Sequence, residues 1–249
     1  MRFSRLFDRF NNRVPTLSPH SAYQVWAQTY DQREDNAFLQ TEERAFLPLL
    51  YALPLMDRTV IDFGCGTGRH LSHCSGRGAR ALVGIDFSRE MLSRAANKFS
   101  PSENVTFLES PVESLPFRDS QFDVGISALV LSHCSELSVP IMEMARVLMP
   151  GSSLLVSDWH PDNDRRGWKR IFESPSSNGS SIRYAARSHP HSLAEYLHEF
   201  QESGFITEKV TEPVIDASLE PIFRRTNMMH VFDRYVGSPL VIVFLLRKA

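Results

Sequence analysis

The chain has 249 residues, of which 42% are hydrophobic and 22% are charged, a balance typical of a globular protein large enough to bury a sizeable core. The 27 basic and 29 acidic residues give a net charge of −2, which argues against broad nucleic-acid binding because such binding usually needs a basic face. No stretch reaches the roughly 18 apolar residues of a membrane span, so we expect no transmembrane segment.

The N-terminal stretch MRFSRLFDRFNNRVP combines apolar side chains at helical spacing with interleaved arginines. A secretory signal needs an uninterrupted apolar core, which this stretch lacks. An Arg-rich amphipathic start occurs in transit peptides, in membrane-surface helices and in helices that dock on their own domain, and we expect the last of these. Residues 1–50 as a whole favour helices, one of them beginning at Thr41, and predict a helical cap region before a main domain at 51–249.

From residue 59 onward, short apolar segments alternate with helical ones. The predicted strands are TVIDF, RALVGID, NVTFLES, FDVGISAL and SSLLVSD, followed after residue 204 by ITEKVTEP and PLVIVFLLRK. The predicted helices are GTGRHLSHCS, REMLSRAANKF, SELSVPIMEMARVL and HSLAEYLHEFQESGF. This alternation predicts an α/β fold with a doubly wound, mostly parallel sheet, interrupted by an insertion at about 159–191.

The turn DFGCGTG follows the first strand of this sheet, where α/β proteins bind their ligands. Its glycines allow ligand atoms to approach the backbone, although the same glycine pattern also occurs in tight strand-to-helix connections that bind no ligand. A phosphate-binding loop needs a lysine after the glycines, and none follows here. A dinucleotide fingerprint needs a glycine at position 69, which is Arg69.

Two acids narrow the choice of ligand. Asp62 precedes the first glycine by two residues. A carboxylate at this position would repel a pyrophosphate but would attract an ammonium group. Asp86 ends the second strand, where a carboxylate accepts hydrogen bonds from ribose hydroxyls. A ligand with a ribose, an anionic group and a cationic group, but no pyrophosphate, fits this pattern, and S-adenosylmethionine is such a ligand.

Four stretches, in order between residues 59 and 158, together resemble one known family: VIDFGCGTGRHL, GIDFSREMLSRA, VESLPFRDSQFDVGISALVLSHC and EMARVLMPGSSLLVSD. The sequence is similar to the class I S-adenosylmethionine-dependent methyltransferases, in the small-molecule branch that includes the ubiquinone and menaquinone enzymes. The resemblance implies a Rossmann-like sheet of seven strands with the last strand antiparallel. It also implies S-adenosylmethionine as cofactor, with the N-terminal helices and the insertion as a cap.

The resemblance further implies roles for individual residues. The glycines would line the methionine end of the cofactor, Asp62 would lie near its amino group and Asp86 would hold the ribose. The residues expected at the cofactor are Tyr30, Asp62, Gly64, Cys65, Gly66, Gly68, Asp86, Phe87, Met91, Val112, Glu113, Ala128 and Leu129. Where the family commonly has an aspartate for the adenine amino group, this chain has Pro111, so Glu113 or water must accept in its place.

The segment after the fourth strand bears on the substrate. Ser127 to Val130 replace the Asn/Asp-Pro-Pro-Tyr/Phe motif of enzymes that methylate a base or amide nitrogen, so we expect a small-molecule acceptor and no nucleic acid. His133 and His160 are the candidate general bases. We expect the acceptor pocket to lie between the N-terminal helices and the insertion. The candidate walls from the insertion are Trp159, Trp168 and Phe172, and the candidate contacts for an anionic substrate are Arg165, Arg166, Lys169 and Arg170.

Two other functions remain open at the level of sequence. One is a protein of the same fold that binds S-adenosylmethionine without methylating. The other is a nicotinamide oxidoreductase with a variant turn, which Arg69 disfavours. Three scattered cysteines, too few for a disulfide framework or a zinc site, are typical of a reducing compartment, and we expect a cytoplasmic protein.

Overall fold

A computed structural model describes residues 14–31, 36–100, 104–175 and 180–249. The N-terminal amphipathic stretch discussed above lies outside these residues except for its last two positions. None of the described helices is both long enough and apolar enough to cross a lipid bilayer.

Strands and helices alternate along most of the described chain. The strands are β1 (Thr16–Leu17), β2 (Thr59–Phe63), β3 (Ala81–Asp86), β4 (Val105–Glu109), β5 (Phe122–Ala128), β6 (Leu148–Trp159), β7 (Arg170–Pro175), β8 (Ser181–Ala186), β9 (Phe205–Thr211) and β10 (Val241–Lys248). The α-helices are α1 (Pro19–Trp26), α2 (Ala37–Ala52), α3 (Arg69–Cys74), α4 (Arg89–Ala96), α5 (Ser138–Val147), α6 (Pro161–Arg165), α7 (Leu193–Glu202), α8 (Glu220–Arg225) and α9 (Met229–Tyr235).

The central sheet has seven strands in the order β4-β3-β2-β5-β6-β10-β9. Its neighbours pair in parallel except around β10, which is antiparallel to both β6 and β9. Central strands such as β2 are apolar and buried on both faces, as expected when helices cover both sides of a parallel sheet. The predicted doubly wound α/β fold, with its last strand antiparallel, is therefore confirmed.

The strand order reverses at β2. This strand pairs with β3 on one side and with β5 on the other, so that Asp62 lies between Gly84 and Ile126. The connections leaving these strands diverge to opposite faces and leave a crevice at their carboxyl ends. The turn at residues 64–68 borders this crevice.

The N-terminal region differs from its prediction in two ways. The second helix begins one turn before Thr41, because Asn36 caps it by accepting from the Leu39 N–H at 3.1 Å, while the Thr41 hydroxyl donates to the Ala37 carbonyl inside the helix. In addition, Phe46 and Leu50 of α2 are fully buried in the same cluster as residues of the sheet. The second helix thus packs against the sheet as part of the same core.

The insertion has regular structure that its composition did not predict. It contains the short helix α6 and the antiparallel pair β7–β8, and β8 also pairs in parallel with β1 to form a second, three-stranded sheet. The indole of Trp26 stacks on Phe172, with ring centroids 4.7 Å apart. The insertion and the N-terminal segment therefore form one packed layer.

A buried ionic cluster joins α2 to the glycine turn from behind. Glu42, which is fully buried, lies 2.5 Å from Arg69 Nη1 and 3.2 Å from His70 Nε2, and it accepts from the Ser157 hydroxyl at 2.8 Å. Burial alone would raise the pKa of Glu42, but Arg69 and His70 lower it to about 2. Glu42 is thus ionised, and it fixes the start of α3 against the sheet.

We predict that Glu42→Gln lowers the free energy of unfolding by about 3 kcal/mol, because it leaves the buried Arg69 guanidinium without its main counter-ion. Glu43→Gln is the matched control, since Glu43 is 3.2 Å from the same Arg69 atom but 30% exposed, and it should cost about 1 kcal/mol or less. Urea unfolding at neutral pH measures both losses. Equal losses for the two variants would contradict the assignment of Glu42 as the anchor.

Candidate functional site

A cavity of about 290 Å³ lies where the strand order reverses. This volume is at the lower end of the range of small-molecule sites. The cavity is lined by Pro19, His20, Tyr23, Tyr30, Gly64, Gly66, Asp86, Phe87, Pro111, Val112, Glu113, Ala128, Leu129, Val130, His133 and Cys134. These residues come from the N-terminal segment and from the carboxyl ends of β2, β3, β4 and β5, so the sheet provides the floor and α1 the cover.

The glycine turn needs its glycines for two different reasons. Gly64, Gly66 and Gly68 all have left-handed backbone, with φ of 71°, 54° and 76°. A Cβ at Gly64 would lie 2.5 Å from Val130 Cγ2, so close packing excludes a side chain there. A Cβ at Gly66 would meet only the Tyr30 ring, at 4.0 Å, so this position keeps the backbone open toward the cavity.

Asp86 connects the turn to the next strand. Its carboxylate is 6% exposed and accepts from the N–H of Gly66 and from the N–H of Ser88, each at 2.9 Å. Burial raises the pKa of Asp86 to about 6, against the lowering effect of these backbone donors. A carboxylate has about four acceptor positions, so capacity remains for hydroxyl groups of a bound molecule. The helix cap at this point is Ser88, whose hydroxyl accepts from the Met91 N–H.

Asp62 lies in β2, two residues before the first glycine of the turn; it is 1% exposed and is not part of the cavity lining. Neither of its carboxylate oxygens has a hydrogen-bond partner among the described residues. Burial raises the pKa of Asp62, the Arg69 charge opposes this, and the Asp86 and Glu42 charges add to it, so that the pKa is about 8. An unpartnered buried carboxylate is costly, and a nearby cation reduces that cost. The geometry thus fits a cationic group in the adjacent part of the crevice.

His133 lines the cavity, but its ring nitrogens are both engaged. Nδ1 is 2.9 Å from the Arg187 carbonyl oxygen, an acceptor, and therefore carries the proton in the neutral ring. Nε2 is 2.8 Å from the Tyr23 hydroxyl and 2.7 Å from Arg170 Nη1. Burial and the Arg170 charge lower the pKa of His133 to about 3. The lone pair needed for general-base catalysis is thus already used.

An aromatic group covers the turn. Tyr23 lies within 6.1 Å, centroid to centroid, of the rings of Trp26, Tyr30 and Phe87, and it also packs edge-on to His133. The cover is tied to the turn by the Thr67 hydroxyl, which donates to Asp31 at 2.7 Å. Tyr30, one of the residues expected at the cofactor, and its neighbour Asp31 therefore both contact the glycine turn.

Several predicted site residues lie outside the cavity lining. Gly68 caps α3 and Met91 is fully buried in α4, while Cys65 is buried under the turn, where burial raises the pKa of its thiol. His160 caps α6 by accepting from the Asp162 N–H, and its Nε2 is 2.8 Å from Glu212. The expected acceptor walls Trp159, Trp168 and Phe172 are buried in packing and do not line the cavity either.

The lining includes residues that the sequence did not single out: Pro19, His20, Tyr23, Val130 and Cys134. Tyr23 is spaced helically with Trp26 and Tyr30, but that spacing is equally typical of a packing stripe. Arg170, predicted as a possible anion contact of the insertion, is instead buried at 4% exposure beside Asp158. Only tertiary structure brings these residues to the cavity.

Residues 61–156 match the family model described as "Methyltransferase domain". This region of the chain is a methyltransferase domain. The predictions of this family, of its Rossmann-like fold and of S-adenosylmethionine as its cofactor are confirmed at the level of the domain.

Among curated relatives of this methyltransferase domain, malonyl-[acyl-carrier protein] O-methyltransferase of Erwinia billingiae is 33% identical over 142 residues, which are 55% of this chain and 51% of that protein. The tRNA U34 carboxymethyltransferase of Pseudoalteromonas translucida is 40% identical over 105 residues, 41% of this chain and 32% of that protein. The chain thus spans about half or less of these relatives. An S-adenosylmethionine-dependent methyltransferase from Mesorhizobium loti has the same fold, with a TM-score of 0.62 and 22% identity over 84% of this chain and 100% of that one.

We predict that Gly66→Ala and Gly76→Ala lower stability equally, by about 1–2 kcal/mol, because both residues are left-handed and neither Cβ meets a close atom. Only Gly66 borders the cavity, so only Gly66→Ala should weaken binding of S-adenosylhomocysteine in calorimetric titration. Equal affinities in the two variants would show that the turn does not contact the ligand.

Proposed function

We propose that the protein binds S-adenosylmethionine in this cavity and transfers its methyl group to a small-molecule acceptor. The observation that carries the proposal is that Asp86 and the open backbone at Gly66 line one cavity, while the buried, unpartnered Asp62 lies two residues before the first glycine of the turn. Asp86 suits the hydroxyls of a ribose, and Asp62 suits an ammonium group but not a pyrophosphate. A nucleoside linked to an amino acid fits this combination better than a dinucleotide or a phosphate does.

Each part of the cofactor has candidate contacts. Asp86 accepts from the ribose hydroxyls, Phe87 and Val112 pack on the adenine, and Glu113 is positioned to accept from its amino group. The methionine portion is assigned to Tyr30, Asp62, Gly64, Gly66, Gly68, Ala128 and Leu129, the buried Met91 is assigned to the adenine side, and Cys65 is buried in the turn. When bound, the cofactor supplies a methyl group activated by a sulfonium.

Alignment and exclusion of water are the protein's main contributions in this proposal. Tyr23 and Tyr30 cover the cavity, and in-line displacement depends mainly on holding the reacting atoms about 3–3.5 Å apart. His133 serves as a neutral wall residue, because its Nε2 already accepts two hydrogen bonds. His160, outside the cavity, has a structural role at α6.

A small acceptor is supported by the size and cover of the cavity and by the net charge of −2. The curated relatives include proteins named for a carrier-bound malonyl group and for a tRNA uridine, so a tRNA acceptor is the outcome that a substrate screen must exclude. The three cysteines are unpaired and buried, and a cytoplasmic location forms part of the same proposal.

We predict that Asp86→Asn weakens binding of S-adenosylhomocysteine by about tenfold to a hundredfold, because charge-assisted hydrogen bonds to the ribose are lost. Asp123→Asn is the control, since Asp123 also accepts from a backbone N–H, that of Thr59 at 2.8 Å, but lies outside the cavity lining. Isothermal titration calorimetry measures both affinities. An equal effect of the two changes, or no binding by the wild type, would contradict the proposal.

A further prediction concerns Asp62 and pH. The pKa of Asp62 is about 8 in the folded protein, against an ordinary value of 3.8. The folded state therefore holds this proton more tightly than the unfolded chain does, and the free energy of unfolding decreases as the pH rises from 3.8 to about 8. Asp62→Asn should therefore raise the melting temperature of the ligand-free protein at pH 8 relative to the wild type. Differential scanning fluorimetry at pH 6 and pH 8 measures this difference, and a lower melting temperature of the variant at pH 8 would contradict it.

The same Asp62→Asn variant should bind S-adenosylhomocysteine more weakly at pH 8, because the ligand's ammonium favours the ionised carboxylate. Wild-type affinity should rise between pH 7 and pH 8, an interval above the Asp86 pKa of about 6, and the rise should vanish in the variant. The control ligand is 5′-methylthioadenosine, which lacks the amino-acid portion and should bind both proteins equally.

A further inference from the structure

Arg170 is the first residue of β7 and is 4% exposed. Its Nη2 donates to Asp158 Oδ1 at 3.0 Å and to the Ser132 hydroxyl at 2.5 Å. Its Nη1 donates to the Leu129 carbonyl at 3.2 Å and to His133 Nε2 at 2.7 Å. One side chain of the insertion thus contacts the end of β6 and two residues of the cavity wall after β5.

Leu129 depends on this contact for its backbone. It is a non-glycine residue with left-handed φ of 65°, and it lines the cavity. Such a conformation persists only where its surroundings hold it in place. The Leu129 N–H donates to the Ser157 carbonyl at 2.7 Å, and its carbonyl accepts from Arg170, so both polar backbone groups are fixed.

The second effect of Arg170 is on His133. A guanidinium has no lone pair to offer, so His133 Nε2 must be the acceptor in this pair, and the ring proton must stay on Nδ1. The Tyr23 hydroxyl, 2.8 Å away, then has one available role toward the same nitrogen, which is to donate. Arg170 and the Arg187 carbonyl, which accepts from Nδ1, thereby determine together the direction of the hydrogen bond that joins α1 to the cavity wall.

Other charged and titratable groups near His133 do not replace Arg170. His189, from the segment after β8, acts on His133 in the same sense but more weakly, and the Arg187 carbonyl on the opposite side stabilises the proton on Nδ1. Tyr23 keeps its own proton, because burial raises its pKa. Burial is the first cause of the low pKa of His133, and the guanidinium is the strongest charged contribution to it.

We propose that Arg170 is a positioning residue: it holds His133 as a neutral, Nδ1-protonated acceptor, and through the Tyr23 hydroxyl it keeps α1 closed over the bound ligand. The part of this proposal that concerns a bound ligand rests on the proposed function. The protonation state and tautomer of His133 do not depend on it, and they are tested without any ligand.

The first experiment is nitrogen-detected NMR of the histidine rings, with the His133 signals assigned by comparison with His133→Gln. In the wild type we expect an Nδ1-protonated ring that stays neutral from pH 8 down to about 4, since its pKa is about 3. A ring that titrates near the ordinary value of about 6.5, or that carries its proton on Nε2, would overturn the proposal with no variant needed.

Three variants distinguish positioning from general structural support. Arg170→Gln should raise the pKa of His133 part of the way, because burial still holds it below about 6.5, whereas Arg170→Lys, which keeps the positive charge, should leave it near the wild-type value. Arg166→Gln is the matched control, because Arg166 is also in the insertion, also stacks over a tryptophan and also donates to a backbone carbonyl, that of Pro239. The control should leave His133 unchanged, and a shift in the control equal to that in Arg170→Gln would overturn the proposal.

The second experiment measures dissociation of S-adenosylhomocysteine by stopped flow. Tyr23→Phe and Arg170→Gln should each speed dissociation roughly three- to tenfold, and the double variant should be no faster than the faster single variant. Multiplicative effects would show that the two residues act independently and would overturn the link to α1. If the wild type shows no binding at all, the proposed function fails, and the NMR result still decides whether Arg170 sets the state of His133.

Discussion

The glycine turn of this domain keeps its shape because two buried carboxylates hold it from opposite sides. Three left-handed glycines give the turn little stiffness of its own, and Asp86 fixes its front by accepting from the Gly66 N–H. Glu42 fixes its back by holding Arg69 at the start of α3. Glu42 lies outside the matched domain region 61–156, so the N-terminal helix that carries it completes the ligand-binding turn.

The cover of the cavity is assembled from two segments that are far apart in the sequence. The N-terminal segment supplies the aromatic rings, and the insertion supports them through the pairing of β1 with β8 and the stacking of Phe172 on Trp26. The cofactor side of the cavity thus comes from the parallel sheet. The side expected to face the acceptor depends on how these two segments meet.

The sequence was informative where structure is local. The alternation of apolar strands with helices predicted the sheet, and the glycine spacing predicted the turn. The position of Asp86 at the end of its strand was predicted too, because each of these signals lies within a few residues. The partners of Arg170 and Tyr23 were not predictable, since pairing across 110 residues leaves no periodicity to read. His133 lines the cavity, but its suitability as a base depends on a guanidinium that only the fold brings near.

The central claim is that one cavity binds a nucleoside at Asp86 and an amino-acid group near Asp62. A crystal structure of the protein with S-adenosylhomocysteine tests it directly. The account predicts ribose hydroxyls within hydrogen-bond distance of Asp86, adenine between Phe87 and Val112, and the ligand's amino group on the Asp62 side of the glycine turn. Density for the ligand in another part of the molecule, or in this cavity with its ribose away from Asp86, would contradict it.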